Sequence, residues 1–398
     1  MRRAVLLAGG ALAAGLFALA RPGDSEPTGA PKAAMIQGAP LVQKPETPKA
    51  PPTVMLEKME LVGDHYEAPL TDGTHVKLTL DPVLQHEAEK LLDRARAPRG
   101  AIIAMAPDGR ILAIAGRRTE EPKGGKHGEL DFHLATEAWA PSASVFKLVT
   151  ASALVEAGVD PDGKVCFHGG IRSVNESNLT DSKRDNRCES LLYGVAHSNN
   201  AILGKLAYQN LQPSALDSLA HDLLGTYAVL TLPHEKNLAF AQSAAGFHDV
   251  KLSVMGGALL AATFADGGEQ PVPHLIADAA PASHRILPAD VAKAVSRMMV
   301  GTCAFGSAHK SFGKKHSVAG KTGTLTTDEP FYMENSWFVG YAPVDKPEII
   351  VSVLLGNPVS WHLRGHEAAR MLIDRAMQRE PDRDAVADDR PRKHTRDR

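Results

Sequence analysis

Ser336-Trp337-Phe338-Val339-Gly340-Tyr341 and Ile349-Ile350-Val351-Ser352-Val353-Leu354-Leu355 are joined through the turn Pro343-Val344-Asp345-Lys346-Pro347. Both runs are rich in β-branched and aromatic residues and bounded by turn formers, which is the pattern of buried strands. Val318 to Leu325 reads as a third strand just before them. A second strand region lies far upstream. There Ala101-Ile102-Ile103-Ala104-Met105 and Ile111-Leu112-Ala113-Ile114 flank Asp108-Gly109, predicting a β-hairpin buried on both faces. Before it, Val76 to Leu80 alternates like a strand. Asp81 then offers an N-cap, Pro82 takes the first helical position, and Leu84, Ala88, Leu91, Leu92 and Ala95 follow at helical spacing. A C-terminal helix is predicted over about Glu367 to Arg379. The roughly 200 residues between the two strand regions are mostly helical in pattern. The economical fold class is α+β: an antiparallel sheet flanked by helices, with an inserted all-helical region.

The composition excludes several classes. The 398 residues are 43% apolar and 23% charged, which is ordinary for globular protein. Lys plus Arg is 44 and Asp plus Glu is 46, so no charge excess points to nucleic acid. Three cysteines cannot staple so long a chain as a disulfide scaffold. No CxxC or HExxH occurs, and Gly365 interrupts the helical spacing of His362 and His366, so neither a metal nor another cofactor is implied.

The ends read as appendages. Arg2 and Arg3 precede an uncharged Ala- and Leu-rich run to Ala20, closed by Arg21-Pro22-Gly23-Asp24. Residues 1–20 are therefore either a cleaved export signal or a membrane anchor. Both readings place the rest outside the cytoplasm, in the periplasm or on the outer face of the cytoplasmic membrane. Residues 21–56 carry eight prolines and no hydrophobic period, predicting a linker. Residues 381–398 alternate acid and base and predict a solvated tail. The folded domain is expected over 57–380. Cys166 and Cys188 bracket a polar insertion; outside the cytoplasm they either pair, closing a loop of about 20 residues, or stay as two thiols.

Three short motifs carry the chemistry. Ser144-Val145-Phe146-Lys147 opens an apolar helix, and residues three apart share a face. A serine hydroxyl needs a nearby base, and a buried amine can act as one. Ser198-Asn199-Asn200 precedes a second apolar helix. Its hydroxyl and amide could relay a proton and hold a substrate amide. Lys321-Thr322-Gly323-Thr324 lies on a predicted strand. Its cation and hydroxyls suit a carboxylate, and its glycine admits a substrate backbone. Taken singly, each motif also fits a plainer role: a helix cap with a surface lysine, a second helix cap, and a solvent-facing strand.

In this order and spacing, SxxK, SxN and KTG resemble the motif set of the serine penicillin-recognising enzymes. The flanks are similar too. Val76 to Gln85 resembles the start of a penicillin-binding protein transpeptidase domain. Gly100 to Ala113 resembles its hairpin, Ala265-Asp266-Gly267-Gly268 its Ala-Asn-Gly-Gly helix end, and Trp337 to Pro343 the strand after KTG. The resemblance covers about residues 76–378.

It implies a D,D-transpeptidase acting on peptidoglycan stem peptides that end in D-Ala-D-Ala. Ser144 would be the nucleophile and Lys147 its base. Ser198 would pass the proton to the leaving amine, and Asn200 would hold the donor amide. Lys321 with Thr322, Gly323 and Thr324 would bind the terminal carboxylate end. The backbone N–H groups of Ser144 and Thr324 would form the oxyanion hole. It also implies capture by β-lactams and partnership with cell-wall synthesis proteins. A D,D-carboxypeptidase, a serine β-lactamase and a non-catalytic β-lactam sensor or scaffold are the alternatives. Against the β-lactamase, no E-x-x-x-N pattern lies between Asn200 and Lys321.

Overall fold

A computed structural model describes residues 52–119, 128–247, 250–313 and 317–378. The run 1–20 expected to direct export, most of the expected linker and the expected tail 381–398 lie outside them. Among the described residues no helix is long and apolar enough to cross a membrane.

The centre is a six-stranded antiparallel sheet. Its spatial order is Ala319–Thr327, Met333–Ala342, Ile349–Asn357, Arg99–Met105, Ile111–Arg118 and Glu129–Leu130. Chain-distant strands thus meet at its middle, where Ile349–Asn357 pairs with Arg99–Met105. Successive side chains on a strand point to opposite faces, and both faces here are apolar. Ile350 and Leu354 enter one core with Trp337, Val339 and Ile103. Val351, Val353 and Leu355 enter a second with Phe338 and Ile102. This explains why the strands read as unbroken apolar runs.

Helices cover both faces. The helix Val254–Ala265, capped by Ser253, is buried along almost its whole length against the first face. The helices Pro82–Ala95 and Gly365–Met377 cover the second. Asp81 caps the former, accepting from the N–H groups of Val83 and Leu84, with Pro82 at its first position. The inserted region between the two strand groups is mainly helical, with short antiparallel ribbons threaded through it.

Two boundaries differ from the expectation. Residues 52–56 already belong to the fold: Val54 bridges to Leu70, and the Met55 N–H donates to the Pro69 carbonyl at 3.0 Å. Prolines satisfy strand edges as well as linkers, so counting them moves the boundary too far. The predicted strand Val76–Leu80 is shorter, His75–Lys77, with Leu78 bridging to Ile276 instead. It closes a small sheet with Glu60–Val62 and His65–Pro69.

Cys166 and Cys188 face each other in the ribbon of Lys164–Phe167 and Arg187–Ser190 and are disulfide-bonded. Cys303 is a buried free thiol. Beside the disulfide, fully buried Lys205 donates to the Cys166 carbonyl and to Asp185, both at 2.7 Å, and pairs with Asp181 at 2.9 Å. His168 bonds the other Asp185 oxygen at 2.6 Å. Opening the disulfide releases a loop spanning a sequence separation of 22. Cys166→Ser with Cys188→Ser should lower the unfolding free energy by about 2–4 kcal/mol, read from urea transitions of both proteins. Coincident transitions would mean that the Lys205 network alone holds the loop.

Candidate active site

The first motif sits where the chain enters the core. A 3-10 turn over Ala143–Val145 carries Ser144, and the helix Lys147–Glu156 follows at once. Leu148, Val149, Ala151 and Leu154 bury that helix, and Lys147 goes in with them, fully buried. Its amine lies 2.7 Å from Ser144 Oγ and donates to the Ala245 carbonyl at 2.5 Å. The surface-lysine reading of SxxK is therefore excluded.

The second motif is the hinge between the helices Leu191–Ala196 and Asn200–Asn210. Asn199, not Ser198, caps the second helix, accepting from the Ile202 N–H at 3.2 Å. That leaves the Ser198 hydroxyl free to accept from the Lys321 amine at 3.0 Å. Lys321 also donates to the Thr322 carbonyl at 2.8 Å and is fully buried. The third motif lies on the edge strand Ala319–Thr327, so one side of its backbone has no strand partner. Ser144, Ser198, Asn200, Thr322, Gly323 and Thr324 line one cavity of about 630 Å³.

The backbone is strained at both serines. Ala143, before Ser144, has φ of 49°, and Ser198 has φ of 56°. Left-handed non-glycine residues cost of order 1–3 kcal/mol and persist only where surrounding packing dictates them. Here the packing is visible. A Cβ at Gly246 would sit 2.2 Å from the Ala143 carbonyl oxygen, and Gly246 itself has φ of 90°, so only glycine lets the Ala245 segment back this turn. Gly323 faces Ala143 and Trp337: a Cβ there would meet their Cβ atoms at 3.3 and 3.2 Å. Its smallness thus seats the serine turn against the edge strand. Trp337, wholly buried, donates from Nε1 to the Pro141 carbonyl at 2.8 Å and fixes the other end of that turn.

The electrostatics follow from burial without counter-ions. Burial, and then the charge of Lys321, push the Lys147 amine well below the usual lysine range. Burial brings Lys321 down to about 7. Neither lysine has a carboxylate partner among the described residues; their partners are hydroxyls and carbonyls. The arrangement can deprotonate the Ser144 hydroxyl through a neutral Lys147. It can also present Lys321 to an anion at near-neutral pH.

Other site residues had no sequence signal. Ser307 Oγ lies 2.6 Å from Thr322 Oγ1 and orients that hydroxyl. His197 packs against Tyr193 in a tilted arrangement with ring centroids 4.1 Å apart, and burial lowers its pKa. Ile171 and Arg172 form another wall of the cavity.

Comparison with known proteins adds the following. A family model described as "Penicillin binding protein transpeptidase domain" matches residues 100–377. Stage V sporulation protein D of Bacillus subtilis is 27% identical over 361 residues, covering 81% of this chain and 55% of that protein. The peptidoglycan D,D-transpeptidase PbpA of Mycobacterium tuberculosis is 23% identical, covering 78% of this chain and 74% of that one. This chain spans about half the length of the first of these. The structure of the tuberculosis PbpA as an imipenem acyl-enzyme complex superposes with a TM-score of 0.60 at 21% identity, covering 76% of this chain and 79% of that one. Penicillin-binding protein 2B of Streptococcus pneumoniae gives 0.63 at 19%, covering 77% and 60%. At these identities the structures establish a shared fold.

The buried lysines make stability depend on pH. Lys321 titrates near 7 when folded and near 10.4 when unfolded. Between those values the unfolded chain binds more protons, so unfolding free energy rises with pH from about 7 toward about 10. Urea midpoints at pH 7, 8 and 9 should rise less for Lys321→Met than for the unsubstituted chain. Parallel curves would show that Lys321 is already neutral, or stays charged, across that window.

Proposed function

The chain belongs to the penicillin-binding protein transpeptidase family, and from that membership we propose that it is a serine D,D-transpeptidase cross-linking peptidoglycan stem peptides through an acyl-enzyme on Ser144. One observation carries the assignment: two fully buried lysines, each within hydrogen-bond reach of a motif serine, on one cavity.

The reaction starts from a neutral Lys147. With the amine unprotonated, the 2.7 Å contact runs from the Ser144 hydroxyl to Nζ. Ser144 Oγ attacks the carbonyl of the penultimate D-Ala while Lys147 takes its proton. The oxyanion is met by the backbone N–H groups of Ser144 and Thr324. Ser198, held by Lys321, relays the proton that Lys147 took: it gives its own proton to the departing nitrogen and regains one from Lys147 as the C–N bond breaks and D-Ala leaves. Thr322 and Thr324, with the Lys321 cation behind them, hold the donor's terminal carboxylate, and Asn200 holds its amide. An acceptor amine then attacks the ester, forming a new amide and returning the proton to Ser144. A β-lactam enters by the same route, and its ring-opened ester persists.

The substrate lies outside the cytoplasm, so the domain works there. Residues 1–20 take it across, as a cleaved signal or as an anchor, and residues 21–51 link them to the domain. Cell-wall synthesis proteins are its partners in this reading.

Intact mass after mixing with benzylpenicillin should show a lasting adduct mapped to Ser144, with none on Ser144→Ala. Lys147→Met should slow adduct formation by about 10²–10⁴-fold, the usual worth of a general base. A pentapeptide donor should give cross-linked product only when an acceptor amine is added; water-hydrolysed product alone would move the assignment to a carboxypeptidase. An adduct that clears within seconds would make it a β-lactamase. No adduct on folded protein would leave a non-catalytic member. The kcat/KM for the donor should decline as pH rises through the Lys321 pKa of about 7, because the anion-binding charge is lost. A flat profile from about pH 6 to 9 would remove Lys321 from that role.

A further inference from the structure

The catalytic cavity continues past the motif strand into a second groove that the reaction above leaves empty of a role. We propose that this groove receives the acceptor peptide, with Trp361 as its platform and Glu334 as the anion that draws the acceptor's side-chain amine. The proposal rests on the transpeptidase reading of the cavity and deepens it. It names the residues that decide whether the acyl group passes to an amine or to water.

Strand geometry comes first. Thr322 pairs with Phe338, Thr324 with Ser336 and Thr326 with Glu334. Residues directly opposite on antiparallel strands share a face, so these threonines stand on one face with Ser336 and Glu334. Lys321 and Gly323 stand on the other, with Val339 and Trp337. Beside the threonines opens a groove of about 630 Å³. Thr322, Gly323 and Thr324 line it as they line the catalytic cavity, so the two spaces meet at the strand. Its far wall is built by residues 358–364, which follow the strand Ile349–Asn357 and carry Trp361 and Arg364. The Gly365 N–H donates to Ser336 Oγ at 3.0 Å and fixes that wall to the sheet.

The symmetry of the reaction comes second. The acyl-enzyme has lost its last D-Ala, whose carboxylate the reaction above places on Thr322 and Thr324. By microscopic reversibility the attacking nitrogen approaches along the line on which the departing nitrogen left. The acceptor therefore enters where D-Ala was, and its body extends beyond the two threonines. Asn200, on the catalytic cavity, is taken by the donor's own amide. The space left for the acceptor is the groove past the threonines.

The chemistry of the groove comes third. Among the described residues that line the two spaces, Glu334 is the one carboxylate. The Tyr332 hydroxyl donates to one of its oxygens at 2.8 Å and steadies it. Glu334 sits one pair farther along the strands than Thr324 and Ser336, about 7 Å on. Its charge gathers an ammonium close to the ester. That ammonium gives one proton to water before it attacks. The neutral nitrogen then forms the new C–N bond, the C–O bond to Ser144 breaks, and a second proton passes from nitrogen through Lys147 to the Ser144 oxygen. Half-buried Trp361 offers a flat apolar surface to the arm that carries the amine, and the Arg364 guanidinium lies 5.7 Å from its ring centroid. Water has neither an arm for the ring nor a charge for the carboxylate, so the groove favours the amine.

The test uses the full chain, a pentapeptide donor ending in D-Ala-D-Ala and, as acceptor, the tripeptide Ala-Gln-Lys acetylated on its α-amine. The lysine side chain is then the only free amine. The ratio of transfer product to hydrolysis product, followed as acceptor concentration rises, reads how the acyl-enzyme partitions, whatever the rate at which it forms. Trp361→Ala should raise the half-saturating acceptor concentration about 10-fold, and Trp361→Phe only about 2-fold. Glu334→Gln should raise it about 3–5-fold and remove most of its dependence on salt. A ratio that neither Trp361→Ala nor Glu334→Gln changes overturns the proposal. The levels separate cleanly. No benzylpenicillin adduct would sink the acyl-enzyme reading. A normal adduct with hydrolysis alone would sink transfer, and the groove assignment with it. Normal transfer indifferent to both substitutions would sink the groove assignment alone.

Discussion

Taking an ammonium out of water without a carboxylate to meet it is the constraint on which the site depends. Among the described residues three lysines are fully buried, and they divide cleanly. Lys205 lies against Asp185 and Asp181; burial pulls its pKa down, but the two carboxylates more than offset that and raise it. Asp185 is correspondingly held down to about 2: its bonds to His168 and Lys205 outweigh the opposing effect of its own burial. That lysine stays a cation and braces a loop. Lys147 and Lys321 have only hydroxyls and carbonyls as hydrogen-bond partners, so burial dominates and lowers both. The same side chain is thus a structural ion at Lys205 and, in the proposed reaction, a proton acceptor at Lys147. The difference is the presence or absence of a carboxylate within reach.

Holding two such amines close to their serines requires a frame stiffer than a loop. The sheet provides it. Lys321 emerges from an edge strand whose neighbour, Met333–Ala342, is packed on both faces, so its stem has no freedom to swing toward solvent. Ser144 is pressed onto that strand at Gly323, backed by the Gly246 segment, and tied at Pro141 by Trp337. The left-handed conformations at Ala143 and Ser198 are what this convergence demands of the chain. Strain at Ala143, next to Ser144, and at Ser198 is sustained by packing elsewhere.

Legibility from sequence followed the range of the forces involved. Strands of the central sheet declare themselves because both faces are apolar and each ends in turn residues. The cap at Asp81 and Pro82 is a local matter and was readable as such. The three motifs could be grouped by their resemblance to a family, but their burial could not be read. SxxK looks the same whether its lysine faces solvent or core; only packing of Leu148, Val149 and Leu154 against distant chain decides it. Ser198 looked like a cap because serine often is one, yet its neighbour Asn199 took that role. Ser307, Gly246 and Arg172 carry no local pattern at all. Gly246 reaches the site by backing Ala143 from a distant part of the chain, Ser307 by bonding Thr322 across a separation of 15, and Arg172 through a loop with no periodicity.

The loop closed by the disulfide shows how a peripheral element enters the chemistry. A helix starting at Asn200 has unsatisfied N–H groups at its first turn and would attract an anion there. Here those groups are taken: Ile171 and Gly170 carbonyls accept from Asn200 and Ala201, and the Asn199 side chain from Ile202. The helix end therefore offers no free N–H groups to an anion at Asn200, Ala201 or Ile202. It serves to lock the loop in register with the second motif. Any displacement of the loop must break bonds to the very residue that follows Ser198 and Asn199. Through Ser198 it must also disturb Lys321, which lies 3.0 Å away. The Cys166–Cys188 ribbon and the Lys205 network thus brace the loop whose carbonyls bond the start of the helix after Ser198, and through Ser198 that bracing extends to Lys321.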